Sequence, residues 1–469
     1  MSHKTLWAFA LTSAAAFMVT LDNLVVTTAI PVIRRDLDAG IGGLEWTVNA
    51  YTLTFAVLLL TGAALGDRFG RRRLLALGLG IFTLASAAAA LAPTIGALDA
   101  ARAVQGLGGA IVMPLTLTIL SAAVPPERRG LALGAWGGIS GLAVAFGPLV
   151  GGAVVDGISW HWVFWLNVPI GVALVPLVLT RLDESRGAHD RVDLPGLGLA
   201  SAGLLGIVWG LVRANTVGWG SPEILGALAA GAVLTAAFLA WERRAPAPML
   251  PLAFFRDRTF SLANAASLLM SFGMFGSIFL LAQFFQTVQG YSPLGSGLRI
   301  LPWTAMPMIV APIAGALSDR IGGHRLMGTG LALQAAGLAW IAAVSEPATP
   351  YADLVAPFAI SGVGMALFFA PVANVVLSAV APEAEGQASG ANNAIRELGG
   401  VLGVAVLAAV FAHTGGYESG QAFTDGMVPA VFIGATVVAL GSLAAFAIRR
   451  RLAAAGAGEE AEAALELAA

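Results

Sequence analysis

The chain has 469 residues, of which 58% are hydrophobic and 11% are charged, and its formal net charge is −2. A soluble domain averages about 25% charged residues and needs a larger polar surface. Together with a mean hydropathy of +0.83, this composition indicates a membrane protein. The charge balance leaves no basic excess for binding nucleic acid. The absence of cysteine excludes disulfides, thiolate metal sites and thiol catalysis.

Apolar segments long enough to cross a bilayer core of about 30 Å as a helix recur along the whole chain. The first could be read as a signal peptide, because Lys4 precedes an apolar stretch that contains "SAAA". Its apolar run continues past Asp22 to Pro31, which favours a retained helix. Fourteen spans are predicted, near residues 7–31, 44–65, 74–93, 97–122, 131–155, 161–180, 195–213, 222–241, 260–285, 294–317, 326–345, 353–379, 388–412 and 427–448.

The arginines between the spans predict the orientation of the chain. Nearly all of them fall in the loops on the same side as the N-terminus, and the opposite side holds only Arg34, Arg35 and Arg213. Basic loops stay in the cytoplasm. We therefore predict a multi-pass protein of the cytoplasmic membrane, embedded in the lipid bilayer, with both termini in the cytoplasm.

Two pairs of stretches show that the chain contains an internal repeat. The sequence "ALGDRFGRRRL" (64–74) matches "ALSDRIGGHRL" (316–326), and "VPPERRGLALGA" (124–135) matches "VAPEAEGQASGA" (380–391). Both matches are separated by an even number of spans, so the repeats lie parallel in the membrane. The predicted units are an N-terminal six-helix bundle (1–180), linkers with two inserted transmembrane helices (181–259), a C-terminal six-helix bundle (260–448) and a cytoplasmic tail (449–469).

The predicted fold is thus an all-α membrane protein of two pseudo-symmetric bundles. Transporters with this architecture bind their substrate between the halves near the membrane midplane. The alternative is a structural or enzymatic polytopic protein. No predicted loop exceeds about 20 residues, and the glycine-rich run "QGLGGA" (105–110) has neither a preceding strand nor a Walker-type lysine. All five histidines lie at or near loops or termini. We expect no enzyme activity, no metal site and no cofactor.

Four stretches resemble a known family. They are "GDRFGRRR" (66–73), "RAVQGLGGAIVMP" (102–114), "GISGLAVAFGPLVGG" (138–152) and "LDNLVVTTAIP" (21–31). Together they resemble the major facilitator superfamily, and specifically its fourteen-helix drug:proton antiporter family. The chain departs from the family pattern at Thr28, His161 and Glu397, where asparagine, arginine and glutamine are usual.

The loop after the second span is a candidate gate. Its carboxylate can meet helix N-terminal amides and neighbouring arginines, forming a network that breaks in one conformational state. The alternative is that the arginines only anchor the loop in the cytoplasm. The candidate gating residues are Asp67, Arg68, Gly70 and Arg71, with Asp319 and Arg320 in the second repeat.

Small residues in the fifth span recur every three or four positions, which allows close approach of another helix. Generic packing would explain them. The resemblance implies instead an antiporter motif that seals the two halves against proton leak. The residues concerned are Gly138, Gly147, Pro148, Gly151 and Gly152.

Three embedded residues, Asp22, Arg102 and Glu397, are candidates for proton coupling. A charge inside the hydrocarbon region costs about 2.5–3.5 kcal/mol on insertion scales and usually faces a functional path. Asp22 could carry the proton, pair structurally with Arg102, or contact a cationic substrate. Glu397 could be a second proton or cation site, and it need not pair with its neighbour Arg396. Embedded charges near predicted span ends are explained by contact with water, namely Arg299, Glu45, Asp99 and Asp156.

The ninth span carries a stripe of methionine and phenylalanine that would suit an adaptable apolar pocket. A lipid-facing or packing stripe is equally compatible with the pattern. The candidate substrate-binding residues are Met270, Met274, Phe275, Phe279 and Gln283.

The sequence and the resemblance together predict export of amphiphilic drugs or antibiotics in exchange for protons. The proton gradient replaces a cofactor, and a monomer is expected. Two alternatives stay open. One is uptake or uncoupled transport of a small metabolite, and the other is a membrane sensor that kept the fold without transport.

Overall fold

The computed structural model describes residues 3–186, 193–246, 248, 250–380 and 385–448. Throughout these residues the regular structure is helical, which confirms the predicted all-α class. The first helices are α1 (His3–Asp36), α2 (Ile41–Phe69), α3 (Arg71–Ala90), α4 (Ile95–Ala123), α5 (Pro126–Gly157), α6 (His161–Trp165), α7 (Asn167–Arg181), α8 (Leu194–Val217) and α9 (Pro222–Glu242). The others are α10 (Arg258–Gln283), α11 (Pro293–Thr304), α12 (Met306–Ile321), α13 (Gly323–Val344), α14 (Tyr351–Leu377), α15 (Glu385–Thr414) and α16 (Gly420–Phe446).

Eleven helical segments within the described residues are long and apolar enough to cross a membrane. One of them, His161–Arg181, combines α6 and α7. The predicted tail 449–469 lies outside the described residues.

Polar side chains set the starts of several helices. The hydroxyl of each N-cap residue accepts a hydrogen bond from a backbone N–H in the first turn, which would otherwise have no partner. This holds for Thr94 before α4, Ser221 before α9, Ser292 before α11 and Ser419 before α16. The helices are therefore delimited by capping residues as well as by the apolar length of each span.

Two spans are broken by proline. Pro169 follows the interruption between α6 and α7, and Pro307 follows the one between α11 and α12. Proline has no N–H to donate to the carbonyl four residues earlier, so the helical hydrogen-bond ladder is interrupted at that point. The first break places Asn167 at the start of α7, next to the site described below.

The repeated loops adopt the same backbone conformation. Gly70 joins α2 to α3 with φ 107° and ψ 124°, and Gly322 joins α12 to α13 with φ 93° and ψ 128°. These positive φ values are favourable only for glycine. The two copies of the motif thus have matching geometry as well as matching sequence.

The helices pack in two groups with corresponding contacts. In the first group α1 packs on α5, α2 on α4, and α3 on both α4 and α7. In the second group α10 packs on α15, α12 on α14, and α13 on both α14 and α16. Between the groups, α5 packs on α11 and α2 packs on α15. Helix α8 packs on α2 and α15, and α9 packs on α8.

The two ends of the molecule are named here by residues of α1: the Lys4 end, where α1 starts, and the Arg34 end, where it finishes. At the Arg34 end the two groups share one hydrophobic core. Ile30, Ala39, Leu44 and Val48 of the first group are buried in the cluster formed by α10 and α13 to α16. The described structure is therefore closed between the groups at the Arg34 end.

Candidate functional site

A buried ion pair lies between α1 and α4. The Arg102 Nη1 atom is 2.6 Å from Asp22 Oδ2, and the side chains are 0% and 1% exposed. Two amides complete the environment of the carboxylate: Gln105 Nε2 donates to Oδ1 at 2.8 Å and Asn167 Nδ2 donates to the same atom at 2.6 Å. We call these four residues the Asp22 cluster.

The guanidinium of Arg102 is held from several sides. Its Nε donates to the Thr47 carbonyl at 3.1 Å, and its Nη1 also donates to Gln105 Oε1 at 2.7 Å. The charged carbon lies 4.2 Å from the ring centroid of Tyr51. Its Nη2 atom has no hydrogen-bond partner among the described residues. The two N–H groups of Nη2 thus have no acceptor among the described residues, whereas Nε and Nη1 are fixed by hydrogen bonds.

Local structure explains why these side chains meet. Gln105 follows Arg102 by one helical turn, so both face α1. Asn167 reaches Asp22 because α7 begins there, after the break caused by Pro169. The sequence reading paired Asp22 with Arg102 but missed Gln105 and Asn167. Gln105 could have been predicted from its position three residues after Arg102 on the same helix. Asn167 could be predicted only by placing the break between α6 and α7.

Both oxygens of the Asp22 carboxylate have hydrogen-bond donors in this conformation. Its carboxylate accepts one charged and two neutral hydrogen bonds, which compensate for its burial. Arg102 thus occupies one carboxylate oxygen of Asp22, and the two amides occupy the other.

Glu397 lies in α15 and is 6% exposed. Its Oε1 is 3.5 Å from Nη2 of the neighbouring Arg396, and its Oε2 has no hydrogen-bond partner among the described residues. Arg396 and Asn393 line an open cleft between α14 and α15, with Phe369 on the opposite wall. A buried carboxylate with a free oxygen and a long ion pair is less well compensated than Asp22.

Tyr51 of α2 lies beside the Asp22 cluster. Its ring lies under Arg102, and its hydroxyl donates to the Val19 carbonyl at 3.3 Å. Asp22, Arg102 and Glu397 all act electrostatically on this hydroxyl. The ion pair of the first group and the carboxylate of the second are thus close enough to influence one residue.

The glycines of α5 contact two other helices closely. A methyl group on Gly147 would meet the Leu24 Cβ at 2.6 Å, and one on Gly151 would meet the Val25 carbonyl oxygen at 2.5 Å. On Gly152 it would meet the Pro293 carbonyl oxygen of α11 at 2.4 Å. Helix α11 also has a glycine at this contact, because Gly297 lies against the Pro148 carbonyl of α5. The surroundings of Gly138 lie outside the described part of the chain.

The repeated loop is held within the first group. The Arg72 N–H donates to Glu184 Oε1 at 3.0 Å, and the Nε atoms of Arg72 and Arg73 lie 3.7 and 3.6 Å from Glu184 Oε2. The Arg71 N–H donates to the Ser185 carbonyl at 2.9 Å. Sequence reasoning missed Glu184, which follows α7.

The other predicted gating residues contribute fewer described contacts. Arg68 is exposed, 5.1 Å from the ring of its neighbour Phe69, and Arg320 is exposed. The side chains of Asp67 and Asp319 lie outside the described residues.

The methionine and phenylalanine stripe of α10 is packed. Met270, Met274 and Phe279 are buried in the hydrophobic core of the second group, and Phe275 packs against Gly400. Gln283 donates to the Phe279 carbonyl and accepts a hydrogen bond from the Tyr417 hydroxyl. In this conformation the stripe forms packing contacts, which was one of the two interpretations that the sequence left open.

Glu45 corrects an expectation from the sequence. Its position near the start of a span suggested contact with water, but its side chain is 1% exposed and its Oε2 has no hydrogen-bond partner among the described residues. The reason is that the neighbouring Leu44 and Val48 are covered by the second group of helices. The carboxylate would be exposed to water on an isolated helix, and contact between the two groups buries it.

Comparison with known proteins identifies the family. The chain matches the model of the Major Facilitator Superfamily over residues 12–404 and again over residues 266–466. The overlap of the two matches agrees with the internal repeat.

Several resistance proteins are similar over most of the chain. The tetracenomycin C resistance and export protein of Streptomyces glaucescens is 35% identical over 88% of this chain and 76% of its own length. The multidrug resistance protein Stp of Mycobacterium tuberculosis is 37% identical over 88% of this chain and 77% of its own. A puromycin resistance protein of Streptomyces alboniger is 34% identical over 94% and 88%, respectively.

Proposed function

The chain belongs to the major facilitator superfamily, and we propose that it exports amphiphilic drugs or antibiotics across the cytoplasmic membrane in exchange for protons. The observation that carries the proposal is the similarity, over most of both chains, to proteins named for antibiotic resistance and export. The resemblance noted in the sequence is thereby confirmed at the level of the family. The chain is a multi-pass membrane protein, and its relatives agree with the prediction that it is not an enzyme.

The Asp22 cluster supports proton coupling. A carrier needs a group that is charged in one conformation and neutral in another, so that protonation and movement are linked. Asp22 is bound at 2.6 Å by Arg102, which competes with a proton for the carboxylate. We propose that protonation of Asp22 releases Arg102 and accompanies the change between the two access states.

Glu397 is proposed as a second proton or cation site. Its unpartnered Oε2 and its 3.5 Å contact with Arg396 leave room for a proton or a positively charged group. The electrostatic influence of Glu397 on Tyr51 provides a physical link to the Asp22 cluster. A substrate cation and a proton that compete for one carboxylate would produce exchange directly.

We propose a membrane topology of fourteen spans, with α6–α7 and α11–α12 each forming one broken span. The Lys4 end then lies in the cytoplasm with both termini, and the Arg34 end faces outwards. Residues 1–180 and 260–448 form the two bundles, α8 and α9 are the inserted helices, and the protein functions as a monomer. The corresponding packing of the two helix groups supports this division.

Three further roles are proposed for residues singled out in the sequence. The loop containing Asp67, with its counterpart containing Asp319, opens and closes the cytoplasmic side. The glycines of α5 keep the halves tightly sealed, which their contacts with α1 and α11 support. The stripe of α10 contributes to the drug pocket in a state in which the packed core opens.

The test is a flux measurement on purified protein in proteoliposomes with an acidic lumen and a trapped pH indicator. Tetracenomycin C and puromycin are added outside, one at a time, because relatives of this chain are named for them. Proton-coupled export predicts that either drug alkalinises the lumen while the drug accumulates. Drug uptake without a pH change would indicate uncoupled transport, and no flux of either compound would favour a sensor.

A further inference from the structure

Glu45 is a buried carboxylate that the proposed proton pathway does not use. It lies at the start of α2, at the Arg34 end, and is 1% exposed. Its Oε2 atom has no hydrogen-bond partner among the described residues. Asp22, in contrast, has three donors around it. The two carboxylates are equally buried, but both oxygens of Asp22 accept hydrogen bonds, whereas Oε2 of Glu45 accepts none from the described residues.

The surroundings of Glu45 belong to both helix groups. Arg34 of α1 lies 3.5 Å above the ring of Tyr417, which precedes α16. The Tyr417 hydroxyl donates to Gln283 of α10, and Glu45 is close enough to act electrostatically on Tyr417. A further contact joins the two groups, because Gln286, which follows α10, donates from Nε2 to the Thr28 carbonyl of α1 at 2.9 Å. These contacts form the closure at the Arg34 end.

The charged groups of the neighbouring elements are engaged with other residues. Arg34 lies over the Tyr417 ring, and Asp99 of α4 accepts a hydrogen bond from Thr47 at 2.9 Å. Arg213 of α8, near the Trp46 side of α2, pairs with Glu223 at 2.8 Å. None of these groups forms an ion pair with Glu45 in the described part of the structure.

A carboxylate in such a place is unfavourable when charged. The Oε2 atom has lost its hydration without gaining a hydrogen-bond donor, and no cation of the described residues pairs with the carboxylate, so the neutral, protonated form is the one that fits. When the bundles separate at this end, water reaches the side chain and the charged form becomes favourable. Opening therefore releases a proton and closure takes one up.

We propose that Glu45 is a proton-binding residue of the closure: the two bundles close at the Arg34 end only when the Glu45 carboxyl carries a proton. The ligand is a single proton taken from the side that the Arg34 end faces. This inference rests on the proposed function, since it assigns Glu45 a role in alternating access. Asp22 carries the exchanged proton, whereas Glu45 returns its proton to the side from which it came.

This proton requirement would make the return from the outward-open state depend on the external pH. After a drug leaves on the outer side, the open state closes readily only where protons are available. An acidic exterior thus favours return to the closed form described here. Because closure binds one proton, the closed-to-open ratio falls by up to about tenfold for each pH unit once Glu45 is ionised in the open state.

The test uses thiol labelling, for which the natural absence of cysteine is an advantage. Ala39→Cys places a thiol in the turn between α1 and α2, where Ala39 is buried by the second bundle. The protein in lipid nanodiscs is treated with a maleimide from about pH 5 to pH 9. Rates are divided by those of Thr414→Cys, an exposed position at the same end, to remove the effect of pH on the thiol itself.

The proposal predicts slow normalised labelling of Ala39→Cys at acidic pH and acceleration of tenfold or more at alkaline pH. Adding Glu45→Gln should keep labelling slow at every pH, because the amide is always neutral. Glu45→Asp retains a titratable group and should retain the acceleration, which guards against a variant that merely fails to fold. Asp99→Asn is the matched control and should behave as the parent protein.

Two results would overturn the proposal. One is an unchanged pH response in Glu45→Gln, and the other is loss of the response in Asp99→Asn. The measurement contains no drug, so it is independent of the flux assay. A pH-dependent closure without drug flux would contradict the proposed export while leaving the role of Glu45 intact, and export without a pH-dependent closure would do the reverse.

Discussion

Asp22 is both well compensated and a candidate carrier, and replacement by asparagine separates these roles. Asp22→Asn removes the charge but keeps groups that can bond to Arg102 and Gln105. The buried arginine loses its counter-ion, and breaking such a pair costs up to about 3–5 kcal/mol. We expect a lower unfolding temperature but a folded protein, with gradient-driven export lost and drug-for-drug exchange across the membrane retained.

The control for Asp22→Asn is Asp38→Asn, an exposed carboxylate in the turn after α1. Asp38 has φ 47°, which asparagine tolerates as well as aspartate does, so this variant should keep full export. Equal loss of export and exchange in a folded Asp22→Asn protein would mean that Asp22 only holds Arg102 in place. Unchanged gradient-driven export would exclude it as the carrier.

The sequence predicted the central pair but not its surroundings. An aspartate in an apolar run is conspicuous because the bilayer penalises charge, and Arg102 is conspicuous for the same reason. Gln105 and Asn167 cost little in a span and therefore stand out less. Glu45 was misjudged because exposure near a span end depends on what the other bundle covers, which no local pattern contains.

The contact of α5 with α11 gives a prediction for a whole helix interface. Gly152→Ala adds a methyl group 2.4 Å from the Pro293 carbonyl oxygen and 2.7 Å from the Leu294 Cα, both backbone atoms that cannot rotate away. Overpacking of this kind costs about 1–3 kcal/mol, and here it forces α5 and α11 apart. We expect a faster passive proton leak through proteoliposomes and reduced export.

Gly157→Ala on the same helix is the matched control. A methyl group there meets no atom within 4 Å, so proton leak and export should equal those of the parent protein. If Gly152→Ala remained proton-tight with full export, the proposed seal would have to lie elsewhere along α5.

The start of α3 depends on a distant carboxylate. Gly70 provides no side-chain cap, and the first amides of α3 instead bond to Glu184 and Ser185. Glu184→Gln removes the negative charge from the helix N-terminus and from Arg72 and Arg73. The glutamine Oε1 can still accept the Arg72 N–H, so what is lost is the charge at the helix start, which is worth about 0.3–1 kcal/mol in a partly exposed setting.

The measurement is the unfolding temperature of Glu184→Gln beside that of Asp183→Asn. Asp183 pairs with Lys4, but both side chains are about three-quarters exposed, so its loss should have no measurable effect. Equal unfolding temperatures for the two variants would show that Glu184 does not stabilise α3. This contact joins residues far apart in the chain, which is why the loop motif alone did not reveal it.

The helices themselves were the most predictable part of the fold. Apolar length alone located them, because lipid requires every backbone group to be satisfied within a helix. The breaks between α6 and α7 and between α11 and α12 follow from Pro169 and Pro307, because proline has no N–H to donate within a helix. The role of the α10 stripe could not be predicted from the sequence, since methionine and phenylalanine have the same spacing in a pocket and in a core.

The molecule is closed at the Arg34 end, where Tyr417 of the second bundle contacts Arg34 of the first. Burial raises the pKa of the Tyr417 phenol above its ordinary value, so the group stays neutral throughout the physiological range. Its contribution to closure is thus independent of pH. Tyr417→Phe keeps the ring beneath Arg34 and loses only the hydrogen bond to Gln283, whereas Tyr417→Leu loses both.

These differences rank the variants in the Ala39→Cys labelling assay at acidic pH. A cation over an aromatic ring contributes about 0.5–2 kcal/mol, so Tyr417→Leu should label roughly 2- to 30-fold faster than Tyr417→Phe. Both should still accelerate as the pH rises, because Glu45 is intact and the tyrosine does not titrate. A leucine variant as slow as the parent would place the closing force in the shared hydrophobic core alone, and a phenylalanine variant without pH response would assign the proton dependence to the phenol instead of to Glu45.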